Sequence, residues 1–370
     1  MKLKDFSYEL PENRIAQQPL SQRDASRLLL LSRAEGTWHD RTFGELPELL
    51  RGDELLVVNN ARVIPARLFG RRRGDNSEPP GKQRRHVAEY LSAEIEVLLT
   101  RIVEGDVWEA LVRPGRKVRV GEHILFGAGE LEAEVIMRGE LGLRQLRFSC
   151  RSGDLSKTVT EAFERLGHVP LPPYIRRSDD TNDRLRYQTV FARRGSAVAA
   201  PTAGLHFTDS ILQRLRARGV ETCELTLNVG LGTFQPIHEE EIERHLIHSE
   251  SYEISEEAAE RISSAKKSGR PVLAVGTTVV RALEDAARKV SNALEKTLIR
   301  GGTAEADIYI YPGHEFRVVD QVLTNFHVPR SSLLVMIAAF AGQDLTLRAY
   351  RHAIAANYRF YSYGDCMLIR

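Results

Sequence analysis

The stretch 271-PVLAVGTTVVRALEDAARKV-290 sets the architecture. Pro271 to Val275 is an unbroken apolar run, without the polar alternation of a half-exposed strand, so it reads as a strand buried on both faces. Gly276-Thr277-Thr278 then turns the chain, and from Val279 the apolar residues take helical spacing. Strand, tight turn and helix in succession form the unit of an α/β domain. The turn also places the hydroxyls of Thr277 and Thr278 at a helix start. Arg281 and Glu284 follow, one helical turn apart; that spacing gives a surface ion pair worth about 0.3–0.5 kcal/mol, or a ligand contact where the helix end lines a pocket.

The same grammar extends outward. Thr208 is an N-cap for the helix in DSILQRLRARG, whose Ile211, Leu212 and Leu215 share a face and whose Gly219 stops it. A strand is predicted from Glu221 to Val229, and Ser255 opens a helix that runs through Ser268. IYIYP (308–312) and VLTNFHV (322–328) read as strands, SLLVMIAAFAG (332–342) as a helix, and RFYSYGDCMLI (359–369) as the closing strand. Between Glu89 and Cys150 the texture changes to short segments, among them EIEVLL, DVWEALV, HILF and RQLRF, with turn signals about every ten residues. That is the pattern of a small antiparallel barrel. ELLVVNN (54–60) is α/β-like and precedes it. The expected fold is therefore α/β: a large, discontinuous α/β catalytic domain at 1–65 and 155–370, carrying an inserted small antiparallel β-barrel domain at 66–154.

Composition removes several function classes. With 42% hydrophobic and 28% charged residues, the 370-residue chain has ample apolar surface to bury and is not disordered. MKLKDFSYEL lacks the apolar core of a signal peptide and no run of about 18 apolar residues occurs, so a cytoplasmic protein with no membrane partner is expected. Cys150, Cys223 and Cys366 are widely separated and show no CxxC spacing, which gives no case for a zinc or redox motif. The net charge of +2 is close to neutral. Yet Arg62 to Arg119 holds thirteen Lys and Arg against eight Asp and Glu, concentrated in RRRGD, KQRRH and RPGRKVR, a pattern of either a solvated surface or a phosphate-binding patch.

Five stretches could carry chemistry. In LTLNVGLGTFQPI (225–237), Gly230 and Gly232 let the backbone approach a ligand, but the third glycine and following helix of a pyrophosphate cradle are missing and Pro236 excludes helix continuation. APTAGLHFT (200–208) sets Thr202 and His206 before a helix start, where N–H groups hold anions and an imidazole can move a proton; a plain cap with a satisfied histidine is the alternative. Strand alternation in VLTNFHVP would put Asn325 and His327 on one face, either lining a cleft or forming a buried hydrogen-bonded pair. His245 and His248 have helical ligand spacing without a matching ligand set, so no metal is expected. YRFYSYGD, if extended, presents Arg359, Tyr361 and Tyr363 on one face for stacking bases, or is simply an amphipathic edge strand.

Taken together, DFSYELPENRIAQQPLSQRDASRLL, VIPARLFG, YQTVFA, APTAGLHFT, VGLGTFQPI, HSESY, AVGTTVVRALE, IYIYPG, LTNFHVPRSSLL and YRFYSYGDCMLI resemble, in order and over nearly the whole chain, the blocks of the S-adenosylmethionine:tRNA ribosyltransferase-isomerases of queuosine biosynthesis. The resemblance implies transfer and isomerisation of the ribosyl part of S-adenosylmethionine onto 7-aminomethyl-7-deazaguanine at the anticodon wobble position of tRNA, giving epoxyqueuosine with release of adenine and methionine. S-adenosylmethionine is then a co-substrate, no separate cofactor is expected, and the chain is expected to act as a monomer. That reaction needs a base for the substrate amine and proton delivery to the leaving adenine. His206 and His327 are the candidates for proton transfer; Thr202, Gly230, Gly232, Thr277, Thr278, Arg281 and Asn325 are the candidates for holding substrate. The chain departs from the family pattern at Asn60-Ala61, usually Asp-Thr, and at Asn228, usually His, and the basic loop Arg71 to Arg85 is longer than usual. The competing readings are an S-adenosylmethionine methyltransferase and a non-catalytic tRNA-binding barrel protein.

Overall fold

Val272–Val275, the strand at the centre of the opening stretch, is buried at all four positions, with Val272 and Ala274 in one apolar cluster and Leu273 and Val275 in another. Such two-sided burial requires cover on both faces of the sheet. The structure, a computed structural model, describes the chain except for residues 74–93, 141, 151–157, 228–236, 238 and 291–296. It divides into two compact units, one of residues 1–62, 172–178 and 185–370, the other of residues 63–171 and 179–184.

The first unit is built on a nine-stranded sheet whose strands, in spatial order, are Gly302–Ala306, Glu250–Ile254, Glu221–Leu227, Leu55–Asn59, Val272–Val275, Gln321–Asn325, Cys366–Ile369, Arg27–Ser32 and Thr37–Thr42. The four strands from Glu221–Leu227 to Gln321–Asn325 are mutually parallel. Cys366–Ile369 runs antiparallel to Gln321–Asn325 and parallel to Arg27–Ser32. Residues of the helices Glu256–Lys267, Thr277–Lys289, Ser332–Ala341 and Gln343–Ala355 share one apolar cluster with one face of the sheet. Leu46 and Ile211, Leu212 and Leu215 of the helix Asp209–Ala217 join the cluster on the other. The parallel order therefore follows from strand–helix alternation, which places crossover helices on both faces. Among the described residues no single helix is long and apolar enough to cross a membrane.

In the second unit six antiparallel strands close a barrel, in the order Leu143–Cys150, Val107–Arg113, Glu94–Glu104, Arg67–Arg72, His123–Phe126 and Leu131–Arg138. Alternate residues such as Ile95, Val97 and Leu99 are buried. Gly70 is required there: a Cβ would lie 2.7 Å from Phe126 and 2.8 Å from Leu125 O. This unit runs past residue 154 to Leu171 because Phe163, on the helix Val159–Leu166, packs edge-on against Trp108 and Phe148.

Three strand expectations change. IYIYP is not in the sheet; the strand is Gly302–Ala306, while Ile308 and Ile310 are buried without ladder partners, so their alternation reflects packing alone. VLTNFHV ends as a strand at Asn325. The closing strand is only Cys366–Ile369, since Tyr361 has φ of +71° and residues 361–364 turn.

Candidate active site

Two chain turns at the carboxyl edge of the parallel strands create a cleft. At the end of Val272–Val275, Gly276 takes φ of +95°, which a side chain would resist, and starts the helix Thr277–Lys289 without any side-chain cap. Its first N–H groups have no carbonyl one turn back to bond, and they sit where Thr277 and Thr278 line the cleft. At the end of Gln321–Asn325 the chain turns at once, and Ser331 caps the next helix by accepting from Leu334 N at 3.2 Å. Ala200 to Ala203, Tyr174, Phe326 and Tyr361 complete the walls. The space is about 840 Å³ with its open mouth included, large enough for a nucleoside-sized ligand.

The turn after Asn325 overrides the expected alternation of Asn325 and His327. Thr324 Oγ1 lies 2.8 Å from His327 Nε2, a contact between residues three apart that an extended strand would not allow. The His327 backbone is fixed from both sides, its N–H donating to Tyr350 Oη at 3.1 Å and its carbonyl accepting from Tyr8. Among the described residues Nδ1 has no hydrogen-bond partner, and His327 lines the cleft. Burial depresses its pKa to about 3, so the ring is neutral at pH 7.

Asn325 forms the floor and is 3% exposed. Its Nδ2 donates to Tyr361 O at 3.0 Å and lies 3.3 Å from His206 Nε2, which fixes the amide orientation because a carbonyl accepts only from the nitrogen. Oδ1 is left buried with no partner. An unpaired buried acceptor costs about 1–3 kcal/mol, a deficit that a ligand N–H or O–H would remove.

His206 does not line this cleft. It sits behind Asn325, with Nδ1 2.7 Å from Ser26 Oγ, which in turn donates to Arg23 O at 3.0 Å. Since Asn325 Nδ2 donates to Nε2, Nδ1 carries the proton. Burial lowers the pKa to about 4, and the fields of Arg23 and Arg359 act in the same direction. Thr202 lines the cleft from a short 3-10 turn, Thr202–His206, and the helix start expected to hold an anion is taken by Thr208, which accepts from Ile211 N. Thus Thr202, Thr277, Thr278, Asn325 and His327 converge, and His206 joins them through Asn325.

Arg281 does not converge with them. It is buried in an ion pair, with Nη1 3.0 Å from Glu250 and Nη2 donating to the carbonyls of His248 and Ala306. Glu284 is likewise held, accepting from the N–H groups of Arg317, Val318 and Val319 at 2.9 to 3.0 Å. Burial raises its pKa, but the His314 contact and these N–H bonds outweigh it and keep it below the ordinary value. The pair expected on a surface is therefore two separate interior anchors. Gly230, Gly232 and Asn228 lie outside the described residues, as does most of the basic loop Arg71 to Arg85. Asn60 faces a neighbouring strand, accepting from Thr226 at 2.8 Å. His245 and His248 lie on no helix, because only Ile242–Arg244 is helical there.

Sequence reading missed Tyr174 and Ser362. Tyr174 Oη lies 2.6 Å from Ser362 Oγ, and its ring is 4.6 Å from that of Tyr361, making an aromatic wall from distant segments. The Pro172-Pro173 pair that stiffens the approach to Tyr174 was the available signal.

An α/β unit with a cleft at a strand-to-helix turn, joined in one chain to a small barrel unit, is an enzyme architecture that the comparisons narrow. The family model described as queuosine biosynthesis protein matches residues 3–369. The chain belongs to that family and is an enzyme of queuosine biosynthesis. It is 54% identical to a protein of Solibacter usitatus named S-adenosylmethionine:tRNA ribosyltransferase-isomerase, and 46% identical to one of that name from Desulfitobacterium hafniense, each match covering 100% of both chains. The crystal structure of S-adenosylmethionine tRNA ribosyltransferase from Thermotoga maritima matches with 34% identity and a TM-score of 0.52, covering 99% of this chain and 100% of that one.

Proposed function

We propose that the protein transfers and isomerises the ribosyl moiety of S-adenosylmethionine onto 7-aminomethyl-7-deazaguanine at the wobble position of tRNA, giving epoxyqueuosine-tRNA and releasing adenine and methionine. The relatives' names support the donor and the RNA acceptor. The observation that carries the reading to the cleft is the unpaired Asn325 Oδ1 on its floor, beside an uncapped helix start and aromatic walls. S-adenosylmethionine has complements for each: a carboxylate for the helix N–H groups, a purine for the Tyr174, Phe326 and Tyr361 rings, and an amine or hydroxyl donor for Asn325.

The nucleophile is the substrate's own aminomethyl group, so the protein supplies positioning and proton transfer. Sulfonium activation acidifies the hydrogens on the adjacent ribose carbon. His327, neutral and with Nδ1 unbonded, is the proton acceptor best placed to use that acidity. His206 acts from behind, setting the Asn325 amide, and Thr202, Thr277 and Thr278 orient the ribose and methionine parts. S-adenosylmethionine is consumed rather than recycled, with no separate cofactor, and we place the reaction in the cytoplasm with the protein acting as a monomer.

Incubation with tRNA carrying the aminomethyl base and S-adenosylmethionine labelled in the ribose or the methyl group tests this. Ribose label in RNA with free adenine is the expected result. Methyl label in RNA indicates a methyltransferase, binding without either label indicates a non-catalytic RNA-binding protein, and both outcomes refute the reading.

A further inference from the structure

Several arginines of the α/β unit meet a carboxylate: Arg281 meets Glu250, Arg214 meets Glu48 and Arg288 meets Asp285. Arg23, Arg186 and Arg359 do not. Arg23 donates to the carbonyls of Gln188, Leu205 and Leu185, Arg186 to those of Ser21 and Leu20, and Arg359 to that of Gln18. None of the three forms an ion pair among the described residues. Asp365, the carboxylate whose field reaches the Arg359 guanidinium, is already occupied by the main-chain N–H groups of Arg27 and Arg359.

Arg23 and Arg186 line a second, smaller cavity of about 300 Å³ including its mouth, together with Ser26, His206, Tyr363 and Gly364. No acidic side chain lines it. Arg186 Nε and Arg359 Nη1 are buried donors without an acceptor. Burial, and then the like charge of Arg186, depresses the Arg23 pKa. Guanidinium groups held together at such a cost, with their forks fixed by main-chain carbonyls, are complementary to an oxyanion that accepts several N–H bonds at once.

This cavity adjoins the cleft. Ser362 lines both, and the Asn325–His206 contact of 3.3 Å joins their walls. An oxyanion here would sit beside the reacting groups rather than among them. We propose that Arg23 and Arg186, with Arg359 adding to the same field, seat one backbone phosphate of the RNA substrate and so fix the nucleotide whose base enters the cleft. The inference rests on the RNA reading above. Phosphate contacts of this kind set register and carry no sequence information. The S-adenosylmethionine carboxylate is the other oxyanion in the reaction, but the uncapped start of Thr277–Lys289 already offers it donors within the cleft.

The test uses the full-length protein and an anticodon stem-loop RNA bearing the aminomethyl base. For Arg186→Gln, the slope of log binding constant against log salt is expected to become shallower by about 0.7, and the RNA KM to rise about tenfold, while the S-adenosylmethionine KM stays within about twofold. Arg186→Lys keeps the charge and should recover most of the slope. A second arm needs no variant: single methylphosphonate replacements along the RNA should reveal one position where neutralisation weakens binding to the native protein by the same factor, with no further loss in Arg186→Gln. An unchanged slope, the absence of such a position, or a rise in S-adenosylmethionine KM instead would each overturn the assignment. If the native protein transfers ribose to RNA while these signatures are missing, the phosphate seat alone fails; if it neither binds nor modifies RNA, the reading beneath it fails.

Discussion

The helix Thr277–Lys289 has two differently finished ends. Toward its carboxyl end each buried charge is answered: Arg281 by Glu250 and two carbonyls, Glu284 by three N–H groups, Asp285 by Tyr252, Arg288 and Lys289. At its amino end the helix lacks a cap, and the neighbouring floor holds an acceptor with no donor. Paired charges stabilise the fold even though Arg281 Nε is left without a partner, whereas an unpaired acceptor on a cleft floor leaves a deficit that a ligand can fill. The difference separates anchor residues from working residues within one nine-residue block, GTTVVRALE.

Glu250→Ala should show the largest effect. It leaves the Arg281 guanidinium buried beside carbonyls only, and the unfolding free energy from urea titration should fall by about 3–5 kcal/mol, with activity per folded molecule unchanged. Lost activity at an unchanged midpoint would erase the distinction between the two ends.

Acid comes next. The folded-state pKa values of His206 and His327, about 4 and about 3, lie below the ordinary 6.5, so the unfolded chain takes up protons first as pH falls. Stability is full above pH 6.5 and declines through 4 for His206 and on toward 3 for His327, with His206 alone accounting for about 3 kcal/mol at the low end. Chemical denaturation from pH 7 to pH 4 should show this slope, and His206→Gln should flatten it; an equal slope in the variant would mean that the imidazole is charged in the folded state.

His327→Gln preserves volume and removes the basic nitrogen. Single-turnover ribosyl transfer should fall by about 10²-fold, with a urea midpoint close to native. A loss of only a few fold would remove His327 from proton transfer. Asn325→Leu, the smallest change, should raise the S-adenosylmethionine KM about tenfold by deleting the floor acceptor. An unchanged KM would show that Oδ1 is not satisfied by that substrate.

Much of the fold was legible where burial is two-sided and turns are local. Val272–Val275, Asp209–Ala217 with its Thr208 cap, and Glu256–Lys267 with its Ser255 cap stand where their sequence signals put them. The site was legible as residue types more than as geometry. Asn325 and His327 both reach the cleft, but through a turn that periodicity cannot register. Arg281 looked like part of the site because Glu250, thirty-one residues away in sequence, is invisible to a local reading. His206 reaches the cleft only through Asn325 for a similar reason, since the partners that enclose it, Ser26 and Asn325, come from opposite ends of the chain. The arginine cluster could not be foreseen at all, being assembled from residues 23, 186 and 359.

The strand Cys366–Ile369 lies between Gln321–Asn325 and Arg27–Ser32, so the two N-terminal strands join the large sheet only through a strand more than three hundred residues further along the chain. During synthesis Leu28 to Leu31 must therefore wait for over three hundred residues before their parallel partner emerges from the ribosome. Until then the apolar edge of Arg27–Ser32 that receives Cys366–Ile369 stands unpaired, the kind of edge on which a foreign strand can add.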